Sequence, residues 1–372
     1  MKNKKVFILA GEPSGDKIGA DLINSLTNEK KLNFVGVGGN NMQNCGLKSI
    51  YPMNDLSVMG LFDVVKRLPL LLWRNRQTTK FILKENPDIV VLIDNQVFST
   101  MLAKKLKKKG FKNPILLYVA PSVWAWKPER AKKLKPIFDE ILAVLPFEPR
   151  VMKELKGPKT TYVGHPALKN IKTNNTSKNK GLIALFPGSR QGEIKRHMPL
   201  LNYLVTALKN HPKVTGFVLP TLPHLADNLT KQVQDWGVDI KIITDNEERK
   251  ETQKDIIFAI VTAGTITLEQ ALAQTAMVGT YVPDNYMLKH YIKAGKPMVL
   301  LPNIVMNKQV VPEVFPPGNE AQELIKSTLE LLENEEKQQT QKEAFKKLHS
   351  LMLNGEKEYK RQEASKRVLA YL

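Results

Sequence analysis

Several short stretches of this chain carry residue types whose spacing suits phosphate, sugar and proton chemistry. The apolar run Leu182–Phe186 breaks into Pro187-Gly188-Ser189-Arg190 and then Gln191-Gly192-Glu193. A buried strand ending in a Gly/Ser turn offers free backbone N–H groups and a helix start to an anion, and a guanidinium adds a bidentate donor. An ordinary turn carrying a surface arginine has the same composition. The stretch Val261-Thr262-Ala263-Gly264-Thr265 repeats the pattern and places Glu269 one helical turn further on. Such a turn can admit a diphosphate and such a glutamate can accept from ribose hydroxyls, although a first-turn acid also answers the helix dipole. Asp94 follows the run Val90–Ile93, where a carboxylate beside apolar neighbours suits a general base or, equally, a helix cap. Near the amino terminus, Gly11 to Asp16 brackets Glu12, Ser14 and Gly15 between small residues, but not in the dinucleotide-binding spacing. Ser122, Trp124 and Trp126, with Lys127, could stack on a sugar or pack inward. His165, in Gly164-His165-Pro166, is a second candidate base.

These residues need strands to present them. Buried parallel-type strands are expected at Val6–Ala10, Asn33–Val37, Ile89–Ile93, Ile115–Val119, Ile141–Val144 and Thr161–Val163, with helical periodicity between them. Residues 169–180 turn Asn/Lys/Thr/Ser-rich and read as a linker. A second series follows at Leu182–Phe186, Gly216–Leu219, Ile240–Ile243, Ile256–Val261, Ala276–Thr280 and Met298–Leu301, and a charged helical end runs from Glu336 to Leu372. Alternating β and α segments predict parallel sheets covered by helices on both faces, with ligands outside the carboxyl ends of the strands.

The chain has 372 residues and a net charge of +20, from 56 Lys+Arg against 36 Asp+Glu. Nucleic acid, an anionic membrane surface or a Lys-rich composition each accommodates that excess; no zinc finger, RNP motif or helix-turn-helix accompanies it. The lone cysteine, Cys45, excludes internal disulfides and argues against Cys/His metal frameworks. The first apolar stretch, Val6–Ala10, is too short for a signal peptide and reads as a strand, and no run is long enough to span a bilayer. Leu68, Leu71, Leu72, Trp73 and Arg74 lie in a Leu/Trp segment hemmed by cations, suited to a membrane interface or acyl chains, or to a buried helix with basic ends.

Taken together, the stretches Ala10–Asp16, Val35–Gly38 with Met42, Val58–Gly60, Tyr118–Trp126, Leu145–Glu148, Val163–Pro166, Phe186–Glu193, Gly264-Thr265 with Leu268-Glu269, and Leu301–Asn303 with Pro312-Glu313 resemble the lipid-A-disaccharide synthases in order and spacing. The resemblance implies a GT-B glycosyltransferase: two Rossmann-like domains facing a cleft, residues 1–168 for the acceptor and membrane, 181–352 for the UDP-sugar, and a final helix, 353–372, crossing back onto the first. It implies inverting transfer of 2,3-diacylglucosamine from UDP to 2,3-diacylglucosamine 1-phosphate (lipid X), giving a β-1,6 disaccharide and UDP, without metal or organic cofactor. By the same resemblance Asp94 is the catalytic aspartate and Arg190 the essential arginine. Gly188, Ser189, Gly264, Thr265, Glu269, Asn303 and Glu313 would surround the nucleotide, and Glu12, Ser14, Gly15, Asp16, Ser122, Trp124 and His165 the acceptor. A peripheral location on the inner face of the cytoplasmic membrane follows, without nucleic acid as partner, and homodimers through the C-terminal part occur in such families.

The chain departs from the family pattern at Asn95-Gln96-Val97, beside the proposed base, and more mildly at Thr262-Ala263 and Ile266. Competing expectations are the peptidoglycan N-acetylglucosaminyltransferase, the UDP-GlcNAc 2-epimerases, and a basic nucleotide- or nucleic-acid-binding protein without turnover. The peptidoglycan enzyme carries a Gly-Gly-Thr-Gly-Gly-His loop where this chain has Gly11–Asp16.

Overall fold

The computed structural model describes residues 4–57, 61–170 and 181–372. They divide into two compact units, Met1–Pro166 with Met352–Leu372, and Ala167–Leu351. The expected linker lies almost wholly, and the Val58–Gly60 motif wholly, outside the described residues.

The first unit holds a sheet of β1 (Lys4–Ala10), β2 (Leu32–Val37), β3 (Lys48–Ser49), β4 (Ile89–Ile93), β5 (Ile115–Tyr118), β6 (Glu140–Ala143) and β7 (Thr160–Tyr162), in the order β3-β2-β1-β4-β5-β6-β7. All its pairings are parallel. Its central strands are continuous apolar runs because helices cover both faces: every residue from Val6 to Ala10 and from Ile89 to Ile93 is buried. The second unit repeats the plan with β8 (Leu182–Phe186), β9 (Gly216–Pro220), β10 (Ile240–Ile243), β11 (Ile256–Thr262), β12 (Ala276–Thr280) and β13 (Glu313–Val314), ordered β10-β9-β8-β11-β12-β13.

Strand order reverses direction between β1 and β4 in one unit and between β8 and β11 in the other. At such switch points the loops leaving adjacent strands diverge and open a crevice. Ala10 is paired with Ile93, and Phe186 with Val261, so the loops of interest leave the sheets side by side.

Two expectations need correction. Met298–Leu301 is not a strand: Glu313–Val314 takes the edge of the second sheet, and Leu301–Met306 is a short helix with Pro302 in its first turn. Proline is favoured there because its missing N–H has no intrahelical partner to lose. The charged end is not one helix either. Helix Glu335–Asn354 stops at Gly355, whose φ of 82° leaves the helical region, and an antiparallel hairpin of β14 (Gly355–Glu356) and β15 (Tyr359–Lys360) precedes helix Ala364–Leu369.

That last segment is fastened to the first unit. The Gln362 N–H donates to the Tyr162 carbonyl at 2.9 Å, Val368 is fully buried in the first core, and Arg367 grips the buried Glu140 through Nε at 3.1 Å and Nη2 at 2.8 Å. Burial tends to raise the Glu140 pKa, but the bonds from Arg367 and Thr161 prevail and hold it below the usual glutamate value.

Candidate functional site

In the second unit the turn after β8 runs Pro187–Arg190 into helix Gln191–Leu208, with no side-chain cap from Arg190. Gly188 and Gly264 have φ of 110° and 153°, conformations that disfavour any side chain, so each glycine lets the chain turn sharply from strand into helix. Nothing lies within 4 Å of where a Gly264 Cβ would stand, leaving open ground before helix Thr265–Leu272. Arg190 Nη1 donates to Glu193 Oε1 at 2.9 Å, and the arginine side chain is 76% exposed against 13% for the glutamate. The guanidinium therefore stands largely in solvent at a helix start, paired with an acid one turn into the same helix. Glu269 accepts from Arg249 Nη2 at 2.9 Å, and the Arg249 guanidinium lies 5.9 Å from the Phe186 ring centre.

His197, about two turns into helix Gln191–Leu208, ties that helix to the segment leaving β12. Its Nε2 accepts the Val282 N–H at 2.9 Å and its Nδ1 faces the Glu193 carbonyl at 2.7 Å, which places the proton on Nδ1. Burial lowers its pKa and keeps the ring neutral. Sequence reasoning missed His197 because nothing local marks it.

Asn303 is fully buried and its amide is fully engaged. Oδ1 accepts from Val310 and Val311 N–H, both at 2.8 Å, while Nδ2 donates to the Val311 carbonyl at 2.8 Å and Glu313 Oε1 at 2.7 Å. Glu313 also accepts the Val299 and Leu300 N–H groups, at 3.2 and 3.0 Å. These two side chains build the 299–313 loop, and the Asn303 amide is left with no unoccupied polar group for a nucleotide.

In the first unit Asp94 and Asn95 both have left-handed backbones, with φ of 52° and 41°, a region Asp and Asn tolerate better than most residues. Ser99 Oγ donates to the Asp94 carbonyl at 2.8 Å, fixing the loop, while the partly buried carboxylate has its pKa raised by burial, opposed only by the Asn95 backbone N–H. Asn95 lies against Gly11, where an added Cβ would collide with its Nδ2, so the β1 and β4 loops touch. Glu12 and Ser14 are exposed beside them. Asp16 is buried and committed: it accepts Gly39, Asn41 and Met42 N–H groups at 2.8, 2.9 and 3.2 Å, capping helix Asn40–Asn44. Gly15, in the first turn of helix Pro13–Glu29, packs against Ala10 and Ile93.

Ser122 and Trp126 are exposed on the loop after β5, whereas Trp124 turns inward, edge-on to Phe147 at 5.4 Å. His165 follows β7; burial takes its pKa down to about 4, so its imidazole is neutral near pH 7. On helix Leu61–Glu85, Leu68, Leu72 and Trp73 are exposed, Trp73 by 53%, while Leu71 leans on the first core. Arg74 is engaged within the protein, bonded to Asp55 and Gln77 and stacked on the Tyr51 and Trp73 rings at 4.4 and 4.2 Å.

A family model described as lipid-A-disaccharide synthetase matches residues 6–368. A lipid-A-disaccharide synthase of Nitrobacter winogradskyi is 32% identical over 368 residues, covering 95% of this chain and 92% of the relative. The chain belongs to the lipid-A-disaccharide synthetase family. Lipid-A-disaccharide synthases are glycosyltransferases, and two solved structures carry the same architecture. The UDP-GlcNAc 2-epimerase of Neisseria meningitidis, solved with UDP-GlcNAc, is similar with a TM-score of 0.60 at 16% identity, covering all of this chain and 99% of the other. MurG of Acinetobacter baumannii gives 0.55 at 12% identity, with 100% and 99% covered. At those identities the likeness is one of fold, GT-B in each case. Against the family match along nearly the whole chain, neither the epimerase expectation nor that of a binding protein without turnover stands. Among the described residues no helix is long and apolar enough to cross a membrane.

Proposed function

We propose that the chain transfers 2,3-diacylglucosamine from UDP-2,3-diacylglucosamine to the 6-hydroxyl of 2,3-diacylglucosamine 1-phosphate. The observation that carries this is the coincidence of the family's motif loops with the switch points of both sheets: Asp94 and Gly11 at one, Arg190 and Gly264 at the other. Asp94 accepts the proton of the acceptor hydroxyl as its oxygen bonds to the anomeric carbon. The bond from that carbon to the diphosphate breaks with inversion, and UDP departs against the Arg190 guanidinium and the N–H groups opening helix Gln191–Leu208. Burial makes Asp94 a stronger base than a solvated carboxylate, and Asp94 leaves the sheet at the switch point between β1 and β4 whereas His165 follows the edge strand β7, which favours Asp94 for the proton.

Glu269 would accept from the ribose hydroxyls, exchanging its bond to Arg249, while Asn303 and Glu313 act by shaping the loop beside the nucleotide. Leu68, Leu72 and Trp73, exposed on a strongly basic protein, would rest on an anionic membrane surface where both lipids reside. The direct test supplies both diacylated monosaccharides and measures UDP and disaccharide 1-phosphate together. Equal amounts of the two support the proposal; UDP without disaccharide would mean hydrolysis and defeat it.

A further inference from the structure

One buried acid has no part in this mechanism. Glu148 opens helix Glu148–Glu154 and is 3% exposed. Its Oε2 accepts the Val144 and Leu145 N–H groups at 3.2 and 2.9 Å, and its Oε1 accepts the Trp124 indole N–H at 3.4 Å. Burial pushes the carboxyl up to about 7 against those three donors. A single side chain thus joins the loops that follow β5 and β6, adjacent strands of one sheet. Ligands of parallel sheets bind at such strand ends.

The loop after β5 has a revealing build. Ser122, Ala125, Trp126 and Lys127 are exposed, and the Ser122 carbonyl closes the turn by accepting from the Ala125 and Trp126 N–H groups at 3.1 Å. Between them only Val123 and Trp124 point inward, and of these only Trp124 has a polar side-chain anchor. That anchor is Glu148.

We propose that Glu148 is a positioning residue for the acceptor: through Trp124 it sets where Ser122, Trp126 and Lys127 meet the acceptor sugar. This rests on the assignment of the β5 loop to acceptor binding. The chemistry of glutamine separates the two ends of the link. In Glu148→Gln the amide oxygen can still serve Val144 and Leu145, but its NH2 group then faces the indole N–H, donor against donor. The loop after β6 keeps its anchor and Trp124 loses its own. Trp124→Phe makes the same cut from the other side while keeping a ring against Phe147.

The test is steady-state kinetics on the full-length enzyme, varying each lipid substrate in turn, for Glu148→Gln, Trp124→Phe and the double variant, with thermal melting as the check of folding. Each single variant should raise the acceptor KM roughly five- to tenfold, the change expected of one hydrogen bond, and leave the donor KM within about twofold. The double variant should be no worse than either single, because both remove the same contact. Equal rises in both KM values, or lesions that multiply, overturn the positioning role. Should Glu148→Gln fail to fold, Trp124→Phe alone decides by the same KM split. Trp126→Ala and Lys127→Ala test the underlying assignment. If they leave the acceptor KM unchanged, the β5 loop is not an acceptor loop; if they raise it while Glu148→Gln and Trp124→Phe do not, the loop assignment stands and the role of Glu148 falls.

Discussion

Arg190→Ala separates the catalytic from the structural worth of one exposed side chain. In the resting protein Arg190 makes an i,i+3 pair with Glu193 at 2.9 Å, with its side chain 76% in solvent. Exposed pairs of this kind contribute about 0.2–1 kcal/mol, so the variant should fold and melt close to wild type. In the transition state the same guanidinium faces charge developing on the diphosphate, where losing one preorganised donor lowers kcat by about 10²–10³, or roughly 2.7–4 kcal/mol. The catalytic loss therefore exceeds the folding loss several-fold. Arg190→Lys should recover only part of it, since an ammonium keeps the charge without the bidentate fork. The assay is UDP release at saturating lipid, paired with a thermal melt of each variant. A kcat for Arg190→Ala within about threefold of wild type would refute the leaving-group role, and a collapsed melt would show that the side chain is structural.

Three further outcomes are expected. Arg367→Ala should destabilise the first unit by about 1.5–3 kcal/mol, because the buried Glu140 carboxylate loses its bidentate partner while keeping Thr161 and the more distant Lys159; denaturant melts measure this. Since the folded Glu140 pKa is depressed, its contribution in the wild type is present above the unfolded value of 4.5 and fades only as pH falls through the lower folded value. Sedimentation with anionic vesicles should show binding that weakens steeply with salt and falls further in a Leu72→Ser, Trp73→Ser double variant; salt-indifferent binding would dismiss the membrane face. The acid limb of kcat/KM should lie above the solvated aspartate value of 3.8, because activity needs Asp94 ionised and burial raises its pKa; a limb at or below 3.8 would assign the base elsewhere.

The strands and site loops were legible because each is a local pattern. Val90–Ile93 before Asp94, and Leu182–Phe186 before Gly188 and Arg190, carry their own burial and turn chemistry in sequence. What escaped was set by partners far along the chain. Asp16 looks like a ligand-facing acid until the N–H groups of Gly39 to Met42 are found on it. Asn303 looks like a free amide until Val310, Val311 and Glu313 saturate it, and Arg74 looks like a lipid contact until Asp55 and two aromatic rings hold it. The strand expected at Met298–Leu301 failed for the same reason: an apolar run does not reveal that Glu313 will collect the Val299 and Leu300 N–H groups instead of a sheet neighbour.

The most direct test of the account is Asp94→Asn, assayed for both UDP affinity and disaccharide synthesis. Asparagine tolerates the left-handed backbone at this position and cannot take up the proton, so the lesion is confined to the base. UDP affinity unchanged with turnover down by about 10²–10⁴ is the predicted result. Turnover near the wild-type rate, or loss of UDP affinity alongside it, would contradict the division of base and leaving-group chemistry between the two units.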